Sequence, residues 1–355
     1  MKHRFAVLGA GNGGQTLAAH LTLLGCEVSL YDTDREKLHQ LVRRGSITLS
    51  GKLEAEVRLH SITESLAKAV QGQEGIFITT TTDQHITIAK TLAPLVQAGQ
   101  LVILCPGQTG GSIVFRNLLL AAGKDIPVAE TQDLLYACRA AVPGQVAVSA
   151  LKLHMAMAVL PASAQDRAFW LVNQAFPQIY PAEGVLEIGF DNTGAMLHPA
   201  PMLLNAGRVE AGEPFLYYKS GITPSVAAVV EKLDQERLAV AAAYGITATS
   251  LNQWLQSTYG VEGKNLYERL QNNAAYATIK ADTALNSRFI TEDVPSGLVP
   301  LAELGRVAGV DTPTINGVIA LADSLLGRDF LAEGRNLNCL GIEGLSAAEI
   351  RKLYQ

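Results

Sequence analysis

Histidine side chains are the first candidates for proton transfer near neutral pH, and the chain has seven of them. His154 alternates with methionines in a predicted strand, which favours a structural role. His85 begins a predicted helix after a run of threonines, so it could approach a bound ligand, although helix capping explains it equally well. His198 differs, since it lies in an apolar segment predicted to be helical and is followed at once by Pro199. A single histidine on an apolar face more often serves packing than catalysis. His198 is therefore a candidate acid–base residue, with packing as the alternative.

A glycine-rich segment near the start of the chain predicts a dinucleotide site. Residues 9–14 match G-x-G-x-x-G and lie between a predicted strand at 5–8 and a predicted helix at 13–24. Such glycines allow a tight turn, a close approach of backbone to a pyrophosphate, and close helix packing. The helix then offers free N–H groups and its positive dipole end to the phosphates. We expect the cofactor to contact Gly9, Gly11, Asn12, Gly13 and Gly14.

A carboxylate follows this segment where an adenosine ribose is bound in dinucleotide folds. Asp32 directly follows a second predicted strand, at 27–31, and lies eighteen residues after Gly14. A carboxylate there accepts hydrogen bonds from the ribose hydroxyls and repels the 2′-phosphate of NADP. Arg35 weakens the inference, because its guanidinium could pair with that phosphate. We expect NAD(H) as the cofactor and leave NADP(H) open.

Two later loops follow predicted strands, and ligands of open α/β sheets bind beyond the carboxyl ends of strands. The first is the threonine run 79–82, in which we expect Thr80 to contact the cofactor. A strand end with a helix cap explains part of this run equally well. The second is the loop 106–111, in which we expect Pro106 to contact the cofactor and Gln108 the substrate.

These segments belong to an alternation of strands and helices that predicts a parallel sheet covered on both faces. We expect an α/β Rossmann domain over residues 1–183, with a hairpin at 46–49 and 54–59. Strands predicted at 127–130, 146–149 and 152–160 extend its sheet, and the boundary is expected within 170–184. Residues 184–355 read as a mostly α-helical domain. Its predicted helices are 188–211, 224–244, 249–258, 265–271, 298–308 and 313–326.

The composition argues against several classes of function. Apolar residues make up 48% of 355 residues, enough to bury the cores of about two domains. The net charge of −5 comes without a basic run, so neither a nucleic-acid partner nor a membrane surface is expected. The four cysteines lie far apart without a C-x-x-C pair. We therefore expect no bound metal, no disulfide framework, and a reducing, cytoplasmic location.

Several motifs resemble the opine dehydrogenase family, which includes octopine and nopaline dehydrogenases. The resemblance runs nearly end to end and is carried by residues 9–14, 196–199, 204–206, 221–226, 288–295 and 297–300. It implies a fold like that of 6-phosphogluconate dehydrogenase and an NAD(P)H-dependent oxidoreductase. Members condense a 2-keto acid, often pyruvate, with the amino group of an amino acid, and also catalyse the reverse oxidation. Some relatives are dimers, so we expect a homodimer.

The resemblance also assigns roles to residues. It implies that His198 and Asp293 are the catalytic pair and that Cys138 belongs to the amino-acid pocket. We expect the pair to meet beside the nicotinamide, with Asp293 fixing the imidazole tautomer. Arg288 is expected to bind a substrate carboxylate, with a surface ion pair as its alternative and Arg139 as a weaker candidate. Asn205 is also expected to contact substrate.

Two other functions stay open on the sequence. A ketopantoate-reductase-like enzyme shares this architecture and reduces a 2-keto acid without an amine, but it relies on a lysine motif that the chain lacks near His198. A non-catalytic NAD-binding or sensing protein could use the same fold. The presence of both His198 and Asp293 argues against such a sensor, because a sensor needs no acid–base pair.

Overall fold

The computed structural model describes residues 2–355, which form two compact units. The first unit ends at Ile188 and the second is Gly189–Gln355. The division falls inside the helix Val185–Phe190, just after the boundary predicted between residues 183 and 184. Within residues 2–355, no helix has both the length and the apolar character that crossing a bilayer requires.

The first unit is built on strands. In chain order these are β1 Arg4–Leu8, β2 Glu27–Tyr31, β3 Ile47–Gly51, β4 Ala55–Val57, β5 Ser61–Thr63, β6 Gly75–Ile78, β7 Leu101–Leu104, β8 Val128–Thr131, β9 Tyr136–Val142, β10 Gln145–Leu151, β11 Met155–Leu160 and β12 Ile179–Pro181. Its helices are α1 Asn12–Leu23, α2 Arg35–Arg44, α3 Leu66–Val70, α4 His85–Leu92, α5 Gly111–Ala121 and α6 Gln165–Asn173, with 3-10 turns at Thr82–Gln84 and Ala162–Ala164.

The main sheet has the order β12-β11-β8-β7-β6-β1-β2-β5 over the described residues. β1 lies between β2 and β6 and is parallel to both, so the chain winds outward in two directions from it. Side chains of β1 alternate between two cores: Phe5 and Val7 face one, Ala6 and Leu8 the other. The reversal of strand order beside β1 is where such folds bind nucleotides.

A second, smaller sheet corrects one sequence prediction. The predicted strand at 146–149 does not extend the main sheet; it is part of β10, in the order β4-β3-β10-β9. β10 pairs in parallel with β3 and antiparallel with β9. The predicted hairpin is present as the antiparallel pair of β3 and β4. Strands β8 and β11 do extend the main sheet, and they pair antiparallel with each other.

The second unit is helical. Its elements are α7 Val185–Phe190, shared with the first unit, then α8 Thr193–Leu197, α9 Pro199–Leu204, α10 Ala206–Glu210, α11 Pro224–Ala243, α12 Leu251–Tyr259, α13 Leu266–Asn272, α14 Arg288–Thr291, α15 Val299–Ala308, α16 Pro313–Leu326, α17 Phe330–Glu333, α18 Leu337–Leu340 and α19 Ala347–Tyr354. A 3-10 turn spans Ala274–Tyr276 and a π-helix spans Val294–Leu298.

Helix α11 organises this unit by packing against α9, α13, α15 and α16. The start of α11 is set by its sequence, because Thr223 caps the helix and Pro224 fits the first helical position. Arg237 of α11 is fully buried, pairs with Asp234, and donates to the carbonyls of Phe190 and Thr249. A buried guanidinium needs such partners, and these tie α11 to the segments on either side of it.

Candidate active site

The glycine loop has open space beside Gly11 but no space for a side chain at Gly14. Gly9 has a φ of 108°, a conformation that favours glycine. A Cβ on Gly14 would lie 1.7 Å from the Gly9 carbonyl oxygen, so only glycine allows α1 to pack this closely. A Cβ on Gly11 would meet no atom within 4 Å. The space beside Gly11 is therefore open.

The threonine run lies against this loop. The Thr79 hydroxyl donates to the carbonyls of Leu8 and Gly9, at 3.1 and 3.0 Å. The hydroxyl oxygen of Thr80 is buried and has no hydrogen-bond partner among the described residues. A buried hydroxyl without a partner is costly unless a ligand supplies one. Together with the opening beside Gly11, this shows that the residues present fit a bound dinucleotide.

Asp32 is held rigidly beside the glycine loop. Its Oδ2 accepts from the Ala10 amide at 2.6 Å and from Lys37 Nζ at 3.2 Å, and its Oδ1 accepts from the Asp34 amide. Arg35 points elsewhere and forms an exposed ion pair with Glu64 at 2.8 Å. The cation next to Asp32 is therefore Lys37, a residue that the sequence analysis did not single out.

The loop after β7 is shaped by a buried carboxylate. Glu130 on β8 is fully buried and accepts from the Ser112 amide at 2.9 Å, at the start of α5. A Cβ on Gly107 would lie 2.1 Å from Glu130 Oε2, so glycine is required there. Gln108 has a φ of 59°, unusual for a residue with a side chain. Pro106 and Gln108 are both partly exposed at this end of the sheet.

The hairpin of β9 and β10 is fastened to the start of α1. Asn12 Oδ1 accepts from the Ala140 amide at 2.9 Å, and Gln15 Oε1 accepts from the Gly144 amide at 2.8 Å. Cys138 lies on β9 with its thiol against Thr16, and burial raises the pKa of this thiol. A protonated thiol is a poor nucleophile, so a nucleophilic role for Cys138 has no support here. Any contact of Cys138 with substrate stays a prediction.

In the second unit, His198 lies at a break between two short helices. α8 is capped by Asn192, whose side chain accepts from the Ala195 amide at 3.2 Å, and it ends at Leu197. Pro199 has no N–H to continue the helix and instead starts α9. The break leaves the imidazole of His198 partly exposed, with 19% of the side chain accessible.

Asp293 lies just before the π-helix, and its side chain is 5% exposed. Small residues bring this segment close to α8, because a Cβ on Gly297 would lie 2.4 Å from Ala195 Cβ. A Cβ on Gly194 would lie 3.2 Å from Asp293 Oδ1, so glycine keeps the space beside the carboxylate open. Short π-helical segments occur frequently at functional sites.

The pair that the sequence analysis named is in contact. His198 Nδ1 lies 2.8 Å from Asp293 Oδ2, and His198 Nε2 lies 3.2 Å from the Tyr218 hydroxyl. A carboxylate only accepts hydrogen bonds, so Nδ1 carries the ring hydrogen and Nε2 is the basic nitrogen. Phe289 stacks on the imidazole at 4.2 Å between ring centroids and 11° between planes. This arrangement orients a histidine for acid–base chemistry.

Arg288 and Asn205, the substrate contacts expected in this unit, differ in exposure and in their hydrogen bonds. The side chain of Arg288 is 66% exposed, and its Nη1 lies 3.9 Å from Glu292 Oε2, a loose ion pair. The Asn205 amide donates to the carbonyls of Pro201 and Gly221, at 2.8 and 2.9 Å. Asn205 thus fastens α9 to the segment before α11, and a contact with substrate stays a prediction.

Three residues that contact the expected site residues of the two units were missed by the sequence analysis: Lys37 beside Asp32, and Tyr218 and Phe289 beside His198. Phe289 lies in the family motif 288–295, but a phenylalanine at this position does not by itself predict stacking on a histidine. Tyr218 had one weak signal, since it is the second of two adjacent tyrosines shortly before the motif at 221–226. Over residues 2–355, no group of three or more His, Cys, Asp or Glu side chains is placed to hold a metal ion.

Comparison with known proteins gives a consistent result for both halves of the chain. Residues 181–326 match the family described as NAD/NADP octopine/nopaline dehydrogenase, alpha-helical domain. Residues 4–109 match the NAD binding domain of 6-phosphogluconate dehydrogenase. An opine dehydrogenase from Arthrobacter sp. (strain 1C) is 42% identical, over 99% of this chain and 98% of that protein.

Solved structures agree in fold. Octopine dehydrogenase with NADH and L-arginine has a TM-score of 0.80 at 21% identity, covering 98% of each chain. Yersinopine dehydrogenase with NADP+ has a TM-score of 0.79 at 18% identity, covering 99% of each chain.

Proposed function

The chain belongs to the opine dehydrogenase family, and we propose that its His198–Asp293 pair performs the acid–base step of that family's reaction. The enzyme is an NAD(P)H-dependent oxidoreductase that condenses a 2-keto acid with the amino group of an amino acid and reduces the product to a secondary amine. The single observation that carries the role of the pair is the 2.8 Å contact between His198 and Asp293.

The chemistry of these residues follows from their tautomer. Nε2 of His198 accepts a proton from the ammonium group of the amino acid, which frees the amine to attack the keto carbon. The positive charge on the imidazolium is then stabilised by Asp293, which also holds the ring in place. Loss of water gives an imine between the two substrates. When bound, a dihydronicotinamide would supply the hydride for reduction of the imine carbon.

The cofactor contacts are proposed on the geometry of the first unit. Gly9, Gly11, Asn12, Gly13 and Gly14 would hold the pyrophosphate against the start of α1, since its first N–H groups are available there. Further contacts are proposed from three side chains that surround this loop or follow neighbouring strands: Asp32 for the ribose, and Thr80 and Pro106 for the rest of the dinucleotide.

Substrate contacts are proposed for Arg288, Gln108, Cys138 and Asn205. Arg288 has the strongest support, because its guanidinium is exposed and its ion pair with Glu292 is long at 3.9 Å. Each substrate carries a carboxylate, and a planar guanidinium can bind one with two parallel hydrogen bonds. We also propose a homodimer in the cytoplasm, which light scattering of the purified protein and fractionation of the cell would test.

A screen of NADH oxidation tests the proposed function. Pyruvate, oxaloacetate and 2-oxoglutarate are each combined with the amino acids, and oxidation that requires both partners is expected. Keto acid alone should give little turnover, whereas a ketopantoate-reductase-like enzyme would need no amine. His198→Ala should lower kcat by about 10²- to 10⁴-fold, the usual contribution of an acid–base residue, and leave NADH affinity unchanged. His60→Ala, at an exposed position, is the control.

A further inference from the structure

Both nitrogens of the His198 imidazole are already engaged within the second unit. Nδ1 contacts Asp293 and Nε2 contacts the hydroxyl of Tyr218, at 2.8 and 3.2 Å. Since Nδ1 donates to the carboxylate, Nε2 accepts the hydrogen of the Tyr218 hydroxyl. A proton that Nε2 takes from a substrate must therefore pass through this hydroxyl, unless the Tyr218 hydroxyl first moves away from Nε2.

The packing around Tyr218 opposes its leaving. Its ring stacks on that of Tyr276, with centroids 4.0 Å apart and planes at 17°. The ring of Tyr217 meets it edge-on at 4.9 Å, and Tyr218 is 5% exposed. Its backbone is fixed as well, because the Tyr218 carbonyl accepts from Gln271 Nε2 at 3.1 Å. A ring held on these sides keeps its hydroxyl at Nε2.

We propose that Tyr218 is a proton relay between His198 and the substrate amine, an inference that rests on the function proposed above. The ammonium gives a proton to Tyr218 Oη while the phenol gives its own hydrogen to Nε2. The amine becomes neutral, the phenol stays neutral, and the imidazolium forms beside Asp293. After the amine has attacked, the same route runs backwards. The imidazolium returns its proton through Tyr218 to the departing hydroxyl, which leaves as water.

A phenol suits this task because its hydroxyl donates and accepts at the same time. The neighbouring Tyr217 shows the contrast, since it donates its hydroxyl hydrogen to the backbone carbonyls of His198 and Leu197. Burial raises the pKa of Tyr217 well above its ordinary value, so its hydroxyl stays a donor that supports the break between α8 and α9. The two adjacent tyrosines therefore act on different atoms of the same histidine.

Tyr218→Phe tests the relay, because it removes the hydroxyl and keeps the stacked ring. The assay uses NADH, pyruvate and the L-amino acid that is fastest with pyruvate. We expect kcat to fall about 10²-fold, with the dissociation constant of NADH and the melting temperature unchanged. Tyr259→Phe is the matched control, since it removes a phenol hydroxyl from a ring that is 39% exposed. It should retain wild-type kcat.

A proton inventory separates a relay from a structural effect. Rates of the wild-type enzyme in mixtures of H₂O and D₂O should follow a curve, because two protons move in one step. The same plot for Tyr218→Phe should be a straight line. A straight line for the wild-type enzyme, kcat above half of wild type in the variant, or a curved plot that persists in the variant would each reject the relay. Absence of amine-dependent NADH oxidation in the wild type would instead reject the proposed function.

Discussion

His198 Nδ1 and Asp293 Oδ2 are 2.8 Å apart although 95 positions separate the two residues. Two local features produce this contact. Pro199 breaks the helix and exposes the imidazole, and Gly297 lets the π-helix pack against Ala195 so that the carboxylate reaches the ring. The tautomer that leaves Nε2 basic is thus fixed by packing before any substrate binds.

Asp293→Asn should test this tautomer directly. The amide keeps the size of the side chain but can donate to Nδ1, which would place the ring hydrogen on Nε2 and remove the base. We expect kcat to fall at least 10²-fold, with little change in NADH affinity measured by fluorescence titration. Glu36→Gln, at an exposed ion pair with Arg43, is the control for loss of a carboxylate. Near-normal turnover of Asp293→Asn would contradict the assignment.

Lys37 should determine how well the enzyme accepts NADPH. Its Nζ lies 3.2 Å from Asp32 Oδ2 and offsets the charge that repels a 2′-phosphate. Lys37→Ala removes the cation and leaves the carboxylate, so KM for NADPH should rise about 10-fold, which corresponds to roughly 1.4 kcal/mol. KM for NADH should change less than about threefold.

The control for Lys37 is Arg35→Ala, because Arg35 is paired with Glu64 away from Asp32. Its KM values for NADH and NADPH should stay near those of the wild type. An equal rise of both KM values in Lys37→Ala, or a larger NADPH effect in Arg35→Ala, would show that Lys37 does not discriminate between the cofactors.

Two glycines of the loop should respond differently to alanine. In Gly14→Ala the new Cβ would lie 1.7 Å from the Gly9 carbonyl oxygen, so the loop must deform and the melting temperature should fall. In Gly11→Ala the Cβ meets nothing within 4 Å, so stability should be kept. NADH affinity should nevertheless fall in Gly11→Ala, because the methyl group occupies the approach of the pyrophosphate. Unchanged NADH affinity in this variant would place the cofactor elsewhere.

His20 should make the stability of the first unit sensitive to acid. It is 8% exposed, lies 3.0 Å from the Tyr136 hydroxyl, and burial lowers its pKa from 6.5. Below about pH 6.5 the unfolded chain binds a proton that the folded chain refuses, so stability falls as the pH decreases towards the lowered pKa. Urea midpoints at pH 5.5 and 7.5 should differ less in His20→Asn than in His39→Asn, an exposed control.

The sequence predicts those parts of the fold that depend on neighbours along the chain. β1, α1 and β2 follow from local apolar periodicity and the glycine segment, and α11, α12, α13, α15 and α16 lie at predicted helices. The single helix predicted at 188–211 is wrong, because the segment is broken into short helices where Asn192 caps α8 and Pro199 starts α9. The strand at 146–149 was assigned to the wrong sheet, because its partner β3 lies about a hundred residues earlier. Periodicity shows that a strand exists but not which strand it pairs with.

The candidate site residues likewise fall into those that sequence motifs identify and those that only the structure shows. His198 and Asp293 were found through family motifs, since their contact spans helices that no local pattern connects. On sequence, Arg35 is the expected cation near Asp32, but the structure pairs Arg35 with Glu64 and places Lys37 beside Asp32. Tyr218 had only a weak signal in the sequence, because the importance of its hydroxyl comes from its contact with His198 Nε2, which only the structure shows.

The helix break at Pro199 and the close packing at Gly297 bring His198 and Asp293 into contact. All of these residues belong to the second unit. Asp32 and Lys37, by contrast, belong to the first unit. With the cofactor contacts proposed above, substitutions at Asp32 and Lys37 would change the coenzyme preference without altering the surroundings of His198. Coenzyme preference would then vary among family members independently of the reaction that they catalyse.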